Sequence, residues 1–487
     1  MRAPDQKTYI PPTITGELGR SDAVVARNFF ARPAPFCDQI DGVAVDSLIE
    51  LFGSPLFVFS ERTVLDTARR ARKAFRDVYP DTIFGWSYKT NYLKAICNLF
   101  HKEGWMAEVV SDFEYQKAEQ AGMPGKDIIY NGPCKSRDSL ERALRNGSLV
   151  QMDNWDELRM VEEIVATMDH VADIGIRIWM DTGLTPAWSK FGFAFASGEA
   201  TRAAQRVLRN PRLRLHTLHS HIGTFVTEPK AYAVAAERLV ALRDMIFKKT
   251  GHLVPCINLG GGFPSTGRLH EMSEATKVPP IEEYASAIAD VLNELPLDQR
   301  PQLRLETGRH LIDDAGYLIT SVVAVKGSDR DKSKPNRGKH SRGSYIVDSG
   351  VNLLYTSTWF KINVMPTTPS NPAHLDAVKL YGCLCMNIDV IREEVELPPL
   401  EVNDKLVLHP VGAYNLTQSM QFIGLRPAVV LIGLDGSVNV IRRREKLIDV
   451  ENGEQVPTYL QLEEIQFPRQ NQMCVSARAG EPGSVSQ

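Results

Sequence analysis

The sequence contains no run approaching about 18 uninterrupted apolar residues, so it offers no transmembrane helix. Charge of one sign is lacking too: 56 Lys and Arg against 59 Asp and Glu leave a net −3. That balance excludes a dedicated nucleic-acid binder and a polybasic membrane-surface protein. Cysteine is sparse, seven scattered over 487 residues and odd in number, which argues against a disulfide framework. The opening MRAPDQKTYIPPTITGEL has no apolar segment of the kind a secretory signal needs. A reduced, cytoplasmic protein is the expectation. Wholesale disorder is excluded, because a hydrophobic fraction of 43% and a charged fraction of 24% are ordinary for a globular chain. At roughly 150 residues per domain, the length suggests two large domains.

Prolines 11, 12, 33 and 35 make residues 1–40 irregular. From Leu56 onward, short apolar runs alternate with helical patterns. Strands are expected at 82–88, 106–110, 127–131, 149–152, 173–181, 213–219, 255–259 and 302–306. Helices are expected at 64–78, 93–102, 113–121 and 231–250. Strand then helix, repeated about eight times over some 260 residues, predicts an α/β chain with a (β/α)8 barrel. After residue 320 the rhythm changes. Strand-like runs at 318–325, 344–348, 378–382, 404–408 and 428–432 predict a β-rich second domain. Between them, residues 326–343 carry seven Lys and Arg against two Asp and are expected to be a solvated, mobile loop. The expected division is an N-terminal extension and strand (1–59) contributing to the β domain, a barrel (60–320), a β-rich domain (321–475) and a frayed tail (476–487).

Catalytic groups in such barrels sit at the C-terminal ends of the strands, and four features fall there. Lys89, in Tyr88-Lys-Thr-Asn91, would face the barrel mouth. Burial there disfavours the ammonium and frees an amine for Schiff-base chemistry; a plain surface lysine has the same local sequence. Gly260, Gly261 and Gly262 follow a strand and let backbone N–H groups approach a phosphate, or simply make a flexible turn. Glu306 and Arg309, around Gly308, suit a ring nitrogen and a phosphate, or form an ordinary ion pair. His219 and His221 share a strand face, but nothing nearby completes a zinc site, so no metal is expected. An imidazole stacked on a flat ring is the better use. Together these parts suit one cofactor, pyridoxal 5′-phosphate (PLP).

With those motifs in this order, the chain resembles the fold-type III, or group IV, PLP-dependent decarboxylases, which include the ornithine, arginine and diaminopimelate enzymes. The resemblance runs from Gly53 to about Leu431. It implies an alanine racemase-like architecture of barrel plus β-barrel-like domain, PLP as cofactor, and a homodimer with shared active sites. It makes Lys89 the internal-aldimine lysine and His221 the residue stacked on the pyridine ring. It also puts Thr224, in His221-Ile-Gly-Thr224, beside the cofactor. Gly260, Gly261, Gly262, Gly308 and Arg309 would serve the phosphate, Glu306 the pyridinium nitrogen, and Tyr414, in Gly412-Ala-Tyr414, the cofactor. Ser111-Asp-Phe-Glu114 and Lys190-Phe-Gly192 match further family segments. Cys385 stands where the family carries a cysteine donated across the dimer interface and would return a proton to Cα.

The implied reaction is decarboxylation of an amino acid through an external aldimine. Substrate contacts are expected from Asp389, Met386 and Thr356. Met386 replaces an acidic residue of the family, and Thr356 stands in place of an arginine that holds a distal carboxylate. Glu108 stands where many members have aspartate. These departures disfavour diaminopimelate and favour a lysine- or ornithine-like substrate or a larger conjugated amino acid. Two alternatives share the fold: an amino-acid racemase, and a non-catalytic regulatory homologue. Against the first stand Cys385-x-x-x-Asp389 and Gly412-Ala-Tyr414; against the second stands retention of Lys89, the glycines, Glu306 and Arg309.

Overall fold

Leu56-Phe-Val-Phe-Ser60 is an apolar pentapeptide buried at every position, and it forms a strand, β1 (Leu56–Ser60). Its alternation divides the interior. Phe57 and Phe59 enter the main core, while Leu56 and Val58 join Val45, Leu48, Ile319, Val407 and Val430 in a second cluster. The computed structural model describes residues 35–273, 276–327, 343–371 and 374–461. Most of the expected loop at 326–343, the extreme N-terminal residues and the expected tail lie outside the described residues. Residues through Arg444 form one unit and those from Glu445 a second, each taken by itself.

Eight parallel strands then close on themselves: β2 (Thr82–Ser87), β3 (Met106–Val109), β4 (Ile128–Tyr130), β5 (Leu149–Met152), β6 (Ala172–Trp179), β7 (Leu213–His219), β8 (Cys256–Asn258) and β9 (Gln302–Thr307). Closure is made where β9 pairs β2 and β7 pairs β6. Helices cover the outside, among them α1 (Glu61–Val78), α2 (Asp112–Gln120), α3 (Trp155–Val165) and α4 (Pro229–Thr250). Their starts are written in the sequence, because each exposed first turn needs acceptors for its free N–H groups. Ser60 Oγ accepts from Thr63 N at 3.0 Å, Ser111 Oγ from Glu114 N at 3.2 Å and Asn154 Oδ1 from Glu157 N at 2.9 Å. The predicted α/β barrel with a β-rich second sheet is therefore what the chain forms. Helices at 94–102, 137–145, 199–209 and 281–293 complete the alternation.

The second sheet is built on β10 (Gly316–Lys326). It pairs antiparallel with β1, with Ser344–Val347 and with Lys405–His409. β1 in turn pairs parallel with Ala428–Ile432. The sheet thus joins residues hundreds of positions apart, and it brings the Gly412–Tyr414 segment against the barrel. Contact there is close: a Cβ on Gly412 would lie 1.9 Å from the Ile312 carbonyl oxygen. No helix among the described residues is long and apolar enough to cross a membrane. In the second unit the described residues form a short helix, Leu447–Glu451, and one 3-10 turn, Thr458–Leu460.

Gly412→Ala should force the backbone apart and destabilise the protein by roughly 1–3 kcal/mol. A lower urea midpoint checks this; an unchanged midpoint would show that the contact is loose.

Candidate active site

Where β2 ends, the chain makes a single 3-10 turn, Tyr88–Thr90, in which Tyr88 and Thr90 are buried. Lys89 between them keeps 40% of its side chain exposed, at the C-terminal mouth of the barrel. Its Nζ donates to Ser87 Oγ at 2.8 Å and to Glu108 Oε2 at 2.7 Å. Ser87 Oγ also donates to Glu108, and Asn131 Nδ2 donates to Glu108 Oε1 at 2.9 Å. Burial alone pulls the Lys89 pKa down. The negative charge and hydrogen bond of Glu108, with Tyr414 and Glu306 behind it, outweigh burial and raise it. This corrects the expectation that burial frees the amine: here Lys89 is held as an ammonium by its neighbour.

Glu306 is buried near the end of β9. Asn258 Nδ2, from the end of β8, donates to its Oε1 at 2.6 Å, and His219 Nε2 lies 3.3 Å from its Oε2. Burial raises the carboxyl pKa. The charge and hydrogen bonding of His219, joined by Asn131 and Lys89, oppose it and win, so Glu306 stays ionised. His221 is the opposite case. Its Nδ1 accepts the Gly261 N–H at 3.0 Å, and the Trp188 ring meets it edge-on at 5.3 Å. Burial, then the positive charges of Arg177, Lys89 and His219, push its pKa far down, leaving a neutral imidazole.

The three glycines serve packing first. A Cβ at Gly261 would lie 2.1 Å from the Glu306 carbonyl oxygen, and one at Gly262 2.2 Å from that of Gly223. The Gly260 N–H goes to Asn258 Oδ1 at 2.8 Å and the Gly261 N–H to His221. Two of the amides are already engaged, and only the Gly262 N–H makes no hydrogen bond among the described residues.

Arg309 follows β9 and is buried. Its Nη1 donates to Asp313 Oδ2 at 3.2 Å, and its guanidinium lies 4.0 Å from the Phe360 ring centre and 5.0 Å from that of Tyr414. The Tyr414 N–H donates to the Thr90 carbonyl at 2.9 Å, and Thr417 Oγ1 to the Lys89 carbonyl at 2.8 Å. Gly308 sits so close to Thr90 that a Cβ would fall 2.0 Å from its Oγ1. The structure thus brings Lys89, His221, the glycines, Glu306, Gly308, Arg309 and Tyr414 to one mouth. Thr224 lies exposed in the loop after β7.

The expected substrate contacts stand differently. Cys385 is exposed and Met386 half-buried, on the turn between Asp376–Tyr381 and Val390–Leu397. Asp389 is buried there, and its carboxylate accepts Val351 N at 2.8 Å and Leu384 N at 2.7 Å. It braces its own turn, because a buried carboxylate must find donors and these backbone amides supply them. The Thr356 hydroxyl donates to Asn415 Oδ1 at 2.9 Å. Within this chain both side chains hold their own loops. The sequence reading missed Ser87, Asn131 and Asn258, which occupy or directly follow strand C-termini; a polar residue at that position was the available signal.

The site fits a polar ligand. Arg309 Nε, Thr90 Oγ1 and His219 Nδ1 are buried without a hydrogen-bond partner, which is costly unless something else supplies one. A barrel mouth holding a lysine, an ionised buried carboxylate and a neutral imidazole is the arrangement of a PLP enzyme. Residues 65–313, just over half the chain, match the model of the pyridoxal-dependent decarboxylase pyridoxal-binding domain, and the chain belongs to that family. Diaminopimelate decarboxylase of Methanocaldococcus jannaschii is 28% identical over 86% of this chain and 95% of its own. That of Bacillus subtilis is 28% identical over 85% and 94%. The crystal structure of the M. jannaschii enzyme in complex with L-lysine superposes with a TM-score of 0.77 at 26% identity, covering 87% and 97% of the two chains. The protein is a PLP-dependent decarboxylase.

Glu114 supplies a pH test. Its Oε2 accepts Val110 N at 2.9 Å. Burial first, with the Glu108 charge added, pushes its pKa up to about 7, against the Val110 N–H and the charges of Lys89 and Lys117. An acid raised from 4.5 to about 7 keeps its proton longer when folded, so it stabilises the fold below 4.5 and loses that contribution as pH rises to about 7. Between ~pH 4 and ~pH 8 the wild type should lose on the order of 3 kcal/mol relative to Glu114→Gln. Urea midpoints of both proteins at the two pH values check this, and parallel curves would contradict it.

Proposed function

We propose that this chain removes the α-carboxylate of a diamino acid as CO2, with PLP held at Lys89. The observation that carries this reading is the meeting of Lys89, Glu108, Glu306 and His221 at the ends of four different barrel strands. Lys89 Nζ would link to the coenzyme, Glu306 would face its ring nitrogen, and the neutral His221 would lie against the ring. The Gly262 N–H and the unpartnered Nε–H of Arg309 would take phosphate oxygens. When bound, the cofactor supplies an electron sink for the pair left at Cα.

The chain's own residues do the rest. Glu108 takes the proton that Lys89 Nζ must lose before it can act as a nucleophile, and Ser87 and Asn131 hold that carboxylate in place. Glu306, kept ionised, holds a proton on the ring nitrogen, without which the sink is weaker. A neutral His221 would lie against the ring without adding a like charge beside Arg177. Cys385 from a second copy of the chain would return a proton to Cα; this assigns the exposed turn at 382–389 to a homodimer.

A lysine- or ornithine-like amino acid, or a larger conjugated one, is the substrate class proposed. The relatives are diaminopimelate decarboxylases, and L-lysine is bound in the M. jannaschii crystal structure. Here the arginine expected to grip a distal carboxylate is replaced by Thr356, whose hydroxyl is engaged by Asn415. A panel of D- and L-diamino acids with CO2 detection tests the proposal. PLP-loaded protein should turn visibly yellow and release CO2 from at least one of them. Lys89→Ala should lose both colour and turnover while still folding; normal turnover by that variant would refute the assignment.

A further inference from the structure

The cations around the mouth each have an acid nearby. Lys89 pairs with Glu108 at 2.7 Å, Arg177 lies 4.0 Å from Asp153, and Lys135 pairs with Glu157. Arg309 pairs with Asp313 at 3.2 Å, both being buried. The last pair is held from several sides. Asp313 Oδ2 also accepts the Ser265 hydroxyl at 2.6 Å, from the end of the glycine loop, and Oδ1 accepts the Ala413 N–H at 3.1 Å, from the loop that carries Tyr414. The Asp313 carbonyl accepts the Gly412 N–H at 3.0 Å. On the other side, the guanidinium is flanked by Phe360 and Tyr414, and Phe360 is backed by Phe225 at 5.1 Å. Neither partner can swing away without breaking several contacts.

A carboxylate arriving beside Arg309 would therefore meet Asp313 as well. An unpaired arginine offers a carboxylate two parallel charge-assisted hydrogen bonds; an arginine already committed to an acid offers little net attraction and a like charge beside it. The remaining buried Nε–H, which has no partner, suits a neutral acceptor or a cofactor oxygen. Tyr414 connects this pair to the reacting end, since its N–H is bonded to Thr90, next to Lys89. A substrate tail leaving the Lys89 position toward Tyr414 would meet aromatic faces and a charge-balanced pair.

We propose that Asp313 is a specificity-determining residue: by pairing Arg309 in a fixed, buried network it restricts the site to amino acids whose distal end carries no free carboxylate. The proposal rests on the decarboxylase reading above and deepens it. Its sequence signal is slight, a single Asp four residues after Arg309.

The test uses full-length, PLP-loaded wild type, Asp313→Ala and Asp313→Asn. The asparagine keeps the shape and a hydrogen-bonding oxygen while removing the charge, so a folded variant is in hand even if the alanine collapses. Pimelate, a dicarboxylate with no amine to react, is titrated against each by equilibrium dialysis. In parallel, CO2 release is compared for lysine and for diaminopimelate, which differ by the distal carboxylate. The expected result is pimelate binding at least tenfold tighter in the variants, and a lysine-to-diaminopimelate ratio of kcat/KM that falls at least tenfold from a wild-type value above one. Unchanged pimelate affinity in the folded asparagine variant, or a wild type that prefers diaminopimelate, overturns the proposal and leaves the decarboxylase reading standing. A wild type that takes up no PLP defeats that reading first, and the proposal with it.

Discussion

The contact between Lys89 and Glu108 is the one on which the site depends, and strand register sets it. In the pairing of β2 with β3, Ser87 lies directly opposite Glu108. Lys89 follows two residues later and reaches back to both. Because side chains alternate across a strand, a slip of one residue would turn Glu108 out of the barrel and leave the ammonium without its partner. The next pairing continues the arrangement, with Val109 opposite Tyr130 and Asn131 just beyond, in reach of Glu108. Strand order is thus a condition of the chemistry: three neighbouring strands deliver the network, Ser87 and Lys89 at the end of β2, Glu108 from β3 and Asn131 after β4.

Around that pair the interior is arranged by charge. Lys135 is held by Glu157, Arg177 lies near Asp153 and Arg309 pairs with Asp313, which matters because an unpaired ion in a low-dielectric interior is strongly disfavoured. Glu306 stays ionised through His219, joined by Asn131 and Lys89, while His221 stays neutral because burial and nearby cations forbid a further positive charge. One carboxylate held charged and one imidazole held uncharged, both within the electrostatic reach of Lys89, define the polarity a ring cofactor meets. The second sheet contributes through Gly412–Tyr414, packed so tightly on Ile312 and Asp313 that the mouth and the sheet form one structure.

Much of the barrel was legible in the sequence. The barrel runs at 149–152 and 213–219 and the second-sheet run at 428–432 fall where strands lie; the first and last are buried at every position and read as continuous apolar stretches, while 213–219 keeps its apolar residues inward with Arg214 exposed. Lys89, His221, Glu306 and Arg309 were legible as well, since each sits at a strand's C-terminal end. What could not be read was the company these residues keep. Ser87, Asn131, Asn258 and Asp313 are ordinary polar residues until the fold places them. The amides of Gly260 and Gly261 were assigned outward to a phosphate, whereas Asn258 and His221 take them. Asp389 and Thr356 were placed by position in a resemblance, but whether a polar side chain faces a ligand or its own loop depends on backbone turns that spacing does not reveal. The insertion of β1 between β10 and Ala428–Ile432 joins segments more than 250 residues apart, which no local periodicity encodes.

The central claim is that one amine, on Lys89, carries the cofactor. Borohydride reduction of PLP-loaded protein, followed by proteolysis and mass mapping, addresses it most directly. The account predicts a phosphopyridoxyl mark on the peptide containing Tyr88-Lys89-Thr90. A mark confined to any other lysine, or none on a protein saturated with PLP, would contradict it.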